Sequence, residues 1–217
     1  MKAIVAGATG ATGSELIAQL ATDQRFDEVI ALVRRSPGHA RQNVVYHVVD
    51  FDLPQMWHGL VQGDVLFLCM GTTLKLAGSK DAQFRVDHTY QLNVARAAAE
   101  NGVKTCVLIS SYGANSSASN FYLKMKGTID DSMMALGFGN LCIIRPGQIH
   151  GKRAMKRTTE TIGLKVMYFF NAIGILRRFK PITTQKLAAA MIHAAVNKRD
   201  YVFVELEKVH LLAENKL

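Results

Sequence analysis

Seven residues near the amino terminus, Gly7-Ala8-Thr9-Gly10-Ala11-Thr12-Gly13, constrain this chain more than any others. They lie between a short apolar run, Lys2–Ala6, and a stretch from Thr12 to Thr22 that puts Leu16, Ile17 and Leu20 on one helical face. A glycine turn between a strand and a helix has a specific physical use. The first glycine permits the sharp turn, the second lets backbone approach a pyrophosphate, and the third allows close helix–strand packing. The N–H groups of the helix then face the anion. The spacing is GxxGxxG rather than the general GxGxxG, so position carries the signal more than pattern does. The competing reading is a glycine-rich turn in some other α/β protein.

The rest of the chain repeats this strand–helix rhythm. Strands are expected at Glu28–Val33, Val44–Val49, Asp64–Cys69, Val103–Ile109 and Leu141–Ile144, and helices at Ala82–Glu100 and Phe121–Leu136. Asn101-Gly102 stops the first of these helices. Near-continuous apolar strands alternating with helices predict a parallel sheet covered on both faces. The expected fold is α/β, a Rossmann-type doubly wound sheet of strand order 3-2-1-4-5-6 with a late strand at Tyr201–Glu205. Helices are also expected at Thr158–Phe170 and Thr184–Asn197. The 217 residues suffice for one domain, and residues 151–186 read as a small cap integrated with it, overhanging the strand ends where ligands bind.

The end of the second strand bears on the cofactor. An NAD site places Asp or Glu about 20 residues past the glycines. This chain has Val33-Arg34-Arg35-Ser36 there. Guanidinium groups suit a 2′-phosphate and leave NAD without a ribose partner, so NADP(H) is preferred over NAD(H). Arg34 is the first choice for the phosphate, with Arg35 beside it. Asp50, after the third strand, has two readings: it accepts a hydrogen bond from the adenine amino group, or it caps the following turn.

Composition excludes several classes. With 49% hydrophobic and 20% charged residues the chain is not disordered. Cys69, Cys106 and Cys142 are widely spaced in apolar runs, without zinc spacing, and suit a reducing compartment. MKAIVAGATG does not read as a secretion signal, and no run of 18 apolar residues exists, so the cytoplasm is the expected location. The other histidines lack metal-ligand spacing, so no metal is expected. The net charge of +9 is concentrated: from Lys152 to Lys186 there are nine basic residues and one acid, Glu160. That field attracts anions. Nucleic acid is disfavoured, because no recognition motif accompanies the charge. Lys165–Lys180 has an apolar centre between basic flanks. A core helix or a lid over an apolar substrate is preferred there to contact with a membrane surface.

A second constellation lies downstream. Tyr122 and Lys126 are four apart, hence on one face of a helix. An ammonium beside a phenol favours the phenolate, so Tyr122 could give or take a proton at an alcohol or carbonyl oxygen. A serine hydroxyl can steady the same oxygen. The competing reading makes Tyr122 a half-buried aromatic and Lys126 a surface charge. The ordered set of glycine turn, Ser110-Ser111 strand end and Tyr–Lys pair favours function.

With those residues in place, the chain resembles the short-chain dehydrogenase/reductase superfamily, in its extended or atypical branch, over nearly its whole length. The motifs are GATGATG, Leu68-Cys69-Met70-Gly71-Thr72-Thr73, Ser110-Ser111, Tyr122-Leu123-Lys124-Met125-Lys126 and Arg145-Pro146-Gly147. Within the branch it is most similar to the small NmrA-like and Tat-interacting-protein-like NAD(P)H-binding proteins. The resemblance implies that Cys69, Met70, Gly71 and Thr72 lie beside the adenosine ribose and nicotinamide. It implies Ser111 as the oxygen donor, with Ser110 as the fallback, and Lys126 as the holder of the nicotinamide ribose. Tyr122, Arg145 and Pro146 complete the expected cofactor lining. Asn93 falls where the superfamily often keeps a proton-relay Asn, or is simply helix surface. His150 departs from the usual apolar or Tyr residue, and touches substrate or caps a turn. The expected activity is NADP-dependent hydride transfer to or from a small carbonyl or alcohol substrate, and the basic 152–186 stretch is compatible with an anionic one. The alternatives are an NADP(H)-sensing regulator that binds a partner, and an epimerase or dehydratase that uses bound cofactor. The helices at 82–100 and 121–136 carry Ala-rich and Met-rich faces suited to a homodimer.

Overall fold

The computed structural model describes residues 1–151, 179–197 and 202–217. Seven strands form one parallel sheet: β1 (Lys2–Ala6), β2 (Glu28–Val33), β3 (Val44–Val48), β4 (Val65–Leu68), β5 (Thr105–Ile109), β6 (Asn140–Arg145) and β9 (Phe203–Glu205), in the order β3-β2-β1-β4-β5-β6-β9. Two further strands, β7 (Ile149–His150) and β8 (Ile182–Thr183), make a separate small parallel pair. The doubly wound order expected from the sequence is thus the order observed, with the late strand added at the β6 edge.

Alternation within the strands divides the core in two. Ala3 and Val5 face one side of the sheet, Ile4 and Ala6 the other, all fully buried. The first layer packs under α1 (Ala11–Leu20), α6 (Thr184–Val196) and α7 (Glu207–Ala213), where Leu16, Ile17 and Leu20 join Leu187 and Met191. The second packs under α4 (Tyr90–Glu100) and α5 (Phe121–Ala135), with Trp57, Val94, Ile129 and Met133. Burying one such side chain contributes about 1.5–3 kcal/mol, so each helix is held mainly by its apolar stripe.

One expected helix is not uniform. The segment read as Ala82–Glu100 comprises α3 (Lys80–Phe84), a π-helical turn (Arg85–Thr89) and α4, following the short α2 (Leu74–Ala77). Backbone dihedrals stay helical across both junctions, and the Tyr90 N–H donates to the Arg85 carbonyl, five residues back. Such turns insert an extra residue into a helix and are frequent at functional sites. The expected cap, most of 151–186, and the expected helix Thr158–Phe170 lie outside the described residues, as does Tyr201.

Candidate functional site

The residues singled out from the sequence collect at the carboxyl ends of the parallel strands, on both sides of the reversal in strand order between β1 and β4. This is where open α/β sheets bind ligands. The glycine turn leaves β1 with Gly7 at φ 88°. A Cβ on Gly7 would lie 2.7 Å from the Cys69 carbonyl carbon and the Met70 nitrogen. A Cβ on Gly13 would lie 2.1 Å from the Gly7 oxygen. The turn is therefore packed backbone to backbone against the β4 end, and side chains are excluded. It is closed by the Gly10 N–H donating to the Gly7 carbonyl at 2.9 Å. Gly10 caps α1 without a side-chain acceptor, and Ser14 is the first residue to bond back within the helix. The N–H groups of the first turn are left to be met from outside, by water or an anion. This donor set fits a diphosphate. Thr9 and Ala11 are exposed on the turn, whereas Ala8 and Thr12 are buried beneath it.

Arg34 and Arg35 leave β2 exposed, and Ser36 beside them accepts the Gly38 N–H at 3.4 Å. Asp50 Oδ1 accepts the Asp52 N–H at 2.9 Å, so the carboxylate caps its own turn. Beyond that turn a cavity of about 450 Å³ opens between Phe51 and Asp52 and the helical residues Arg85, Tyr90 and Asn93. Asn93 thus faces the loop after β3. Tyr90 stacks on Phe51 and donates to Asp52 at 2.8 Å.

At the β4 end, Cys69 is half-buried against the Met191 sulfur at 3.8 Å, and burial pushes its thiol pKa up. That environment disfavours the thiolate. Met70 is buried, while Gly71 and Thr72 face a carboxylate that the sequence reading did not name, Asp87.

Asp87 occupies the π-helical turn and is 1% exposed. Its Oδ2 accepts the Thr72 N–H at 2.7 Å, and its Oδ1 lies 3.2 Å from Lys126 Nζ. Its carbonyl accepts the Gln91 side-chain amide at 2.6 Å. Lys126 is itself buried at 4% exposure. Burial pulls its pKa down, but Asp87, then Tyr122 and Asp130, push it up, and the net shift is upward. The ammonium is therefore held charged beneath the β4 loop. Tyr122, one turn earlier on α5, is 38% exposed and close enough to Lys126 to help raise the lysine pKa.

Ser110 and Ser111 divide their roles by burial. Ser110 is buried, close enough to Asp130 to lower its carboxyl pKa, though it closes no well-formed hydrogen bond with it. Ser111 is half-exposed and its hydroxyl lies 3.3 Å from the Tyr112 carbonyl. The strand ends are locked together, because Ser110 N–H donates to Ile144 and Tyr112 N–H to Pro146. The loop that follows lies directly on α5: a Cβ on Gly127 would sit 2.1 Å from Asn115 and Ser116 backbone atoms. Arg145 is fully engaged. It pairs with Asp130 at 2.9 Å and Glu205 at 3.0 Å, and covers the Phe203 ring at 4.0 Å. Burial raises the Asp130 pKa more than Ser110, Arg145 and Lys126 lower it. His150 sits in β7, paired with Thr183 of β8. Among the described residues no cluster of His, Cys, Asp or Glu could hold a metal ion, and no helix is long and apolar enough to cross a membrane.

Comparison with known proteins agrees with this fold. Residues 7–167 match the family described as NAD(P)H-binding. The chain is 36% identical over 210 residues to Protein FMP52, mitochondrial, of Saccharomyces cerevisiae, covering 91% of this chain and 88% of that protein. It is 32% identical over 204 residues to the Debaryomyces hansenii protein of the same name, covering 90% and 88%. Among solved structures, a short-chain dehydrogenase/reductase superfamily protein from Agrobacterium tumefaciens with bound NAD superposes with a TM-score of 0.72 at 14% identity, covering 95% of this chain and 77% of that one. A UDP-glucose 4-epimerase from Thermotoga maritima gives 0.71 at 14%, covering 100% and 82%. These likenesses support the fold. The mitochondrial names of the sequence relatives overturn the cytoplasmic location expected from the sequence. The physical reason for the error is plain: unpaired thiols report a reducing milieu, and that does not separate one reducing compartment from another.

Proposed function

The chain belongs to the NAD(P)H-binding family, and from that premise we propose that it is a mitochondrial NADP(H)-dependent oxidoreductase of the atypical short-chain dehydrogenase/reductase type, acting on a carbonyl or alcohol. The observation that carries this reading is the buried Lys126 ammonium, set one helical turn from the exposed Tyr122 and under the same strand ends as the glycine turn. In this reading the amides from Gly7 to Gly13 cradle the diphosphate. Arg34 and Arg35 take the 2′-phosphate, which their exposure at the β2 end leaves them free to reach. Asp50, Cys69, Met70, Gly71, Thr72 and Pro146 line the bound nucleotide. The nicotinamide supplies or accepts hydride. Tyr122 moves the proton at the substrate oxygen, Lys126 holds the ribose hydroxyls and keeps positive charge beside the phenol, and Ser111 donates to the same oxygen. Ser111 is preferred to Ser110 because Ser110 is buried and Ser111 is part-exposed. Arg145 serves this site by fixing the β6 end through Asp130, rather than by reaching a ligand. The protein pairs as a homodimer through α4 and α5, which sedimentation at high concentration would reveal.

NADPH oxidation followed against aldehydes, ketones and quinones tests the reading. Tyr122→Phe should lower turnover by about 10²–10⁴-fold with NADPH affinity retained. If wild type and Tyr122→Phe consume cofactor equally with every substrate, the enzyme reading fails and a nucleotide-sensing role takes its place.

A further inference from the structure

Asp87 has no part in the roles assigned above, yet it is the most fully engaged acid near the site. It is buried, its two carboxylate oxygens point to different partners, and those partners come from two different elements, the loop after β4 and helix α5. Oδ2 holds the Thr72 N–H of the β4 loop, and Oδ1 holds the Lys126 ammonium of α5. The π-helical turn accounts for this reach. With one residue more than an α-helical turn, it leaves the Asp87 carbonyl to the Gln91 side chain and rotates the carboxylate between β4 and α5. The other charged or titratable groups near Lys126 are Tyr122 and Asp130 on its own helix. Arg145 of β6 and Glu205 of β9 lie beyond Asp130 and are paired there.

A buried ammonium needs a partner to remain charged, and the loss of one member of such a pair leaves the other isolated at a cost. We propose that Asp87 is a positioning residue: it clamps Lys126 to the β4 loop so that the ammonium is presented, charged and immobile, to the nicotinamide ribose. This inference rests on the NADP(H) reading above. In this role Asp87 acts through Lys126 and Thr72.

Asp87→Asn separates the two contacts. The amide oxygen still accepts the Thr72 N–H, while the charge facing Lys126 is gone. NADPH fluorescence titration of wild type, Asp87→Asn, Lys126→Met and the double variant provides the test. Loss of one hydrogen bond from a charged group weakens binding by about 10- to 100-fold. Lys126→Met and Asp87→Asn should each show a loss of that order, and the double variant should be no weaker than Lys126→Met alone. A folded Asp87→Asn with wild-type affinity, beside a weakened Lys126→Met, overturns the inference and leaves the functional reading intact. So does a double variant in which the two losses multiply. Wild type that binds neither NADPH nor NADH overturns the functional reading, and the inference falls with it. Should Asp87→Asn fail to fold, NMR titration of ¹³Cε-labelled lysine in wild type still decides. Lys126 should titrate above the exposed lysines, and titration with them or below them refutes the clamp.

Discussion

Gly13→Ala tests the backbone cradle most directly. The added methyl would sit 2.1 Å from the Gly7 oxygen, 2.9 Å from its carbonyl carbon and 3.0 Å from the Ala8 Cα. All three atoms are backbone, so no side chain can swing aside, and the first turn of α1 must move away by about an ångström. Forcing a methyl into packed structure costs about 1–3 kcal/mol. The better helix propensity of alanine offsets up to about 1 kcal/mol of that. A net loss of about 1–2 kcal/mol in a chain of this size lowers Tm by about 2–8 °C. The effect on nucleotide binding should be larger. Displacing the turn takes α1 amides out of line with the diphosphate, and loss of one such bond weakens NADPH binding by about 10- to 100-fold. Gly59→Ala is the control: a Cβ there meets nothing within 4 Å, and stability should change by less than about 0.5 kcal/mol with affinity unchanged. A folded Gly13→Ala that binds NADPH as tightly as wild type would refute the cradle.

Three further outcomes follow from the same geometry. Arg34→Ala or Arg35→Ala should weaken NADPH at least about tenfold and leave NADH unchanged; equal loss for both nucleotides would count against a 2′-phosphate site. Lys126 titrates above its unfolded value, so its contribution to stability is complete below about pH 10.4 and is lost as pH rises through the higher folded value. Melting temperatures between pH 9 and 11.5 should therefore fall more steeply in wild type than in Asp87→Asn, and parallel curves would contradict the pairing. His88 is buried with neither ring nitrogen partnered among the described residues, and burial, then Arg96, lowers its pKa. Its contribution is complete above about pH 6.5 and is lost as pH falls through the folded value. His88→Phe, which can keep the stack on Phe84, should gain stability relative to wild type at pH 5 more than at pH 7.5. A pH-independent difference would refute that.

The parts of this protein legible in the sequence are those in which local pattern and long-range packing ask for the same thing. Gly7, Gly10 and Gly13 could be read because a strand, a turn and a helix each restrict the same seven positions, and the structure shows backbone where their side chains would be. The strands could be read because burial on both faces demands unbroken apolar runs such as Val65–Leu68. Asp87 could not be read in this way. An acid in the middle of an apparent α-helix looks like solvated surface, and nothing in a 3.6-residue period anticipates the extra residue that turns it inward. One trace was a spacing: in the uniform helix expected, Asn93 was the polar residue in the superfamily's place, and it faces the cavity beside Phe51 instead. A buried lysine is the better signal. Once Lys126 is placed on the inner face of α5 by the Tyr–Lys spacing, its charge requires a buried counter-charge, and the β4–α4 connection is the neighbouring segment able to provide one. The two ends of that pair lie 39 positions apart, so neither local propensity nor periodicity could join them. The sheet does so by placing β4 and β5 side by side, and the helices that follow these strands bring the pair together.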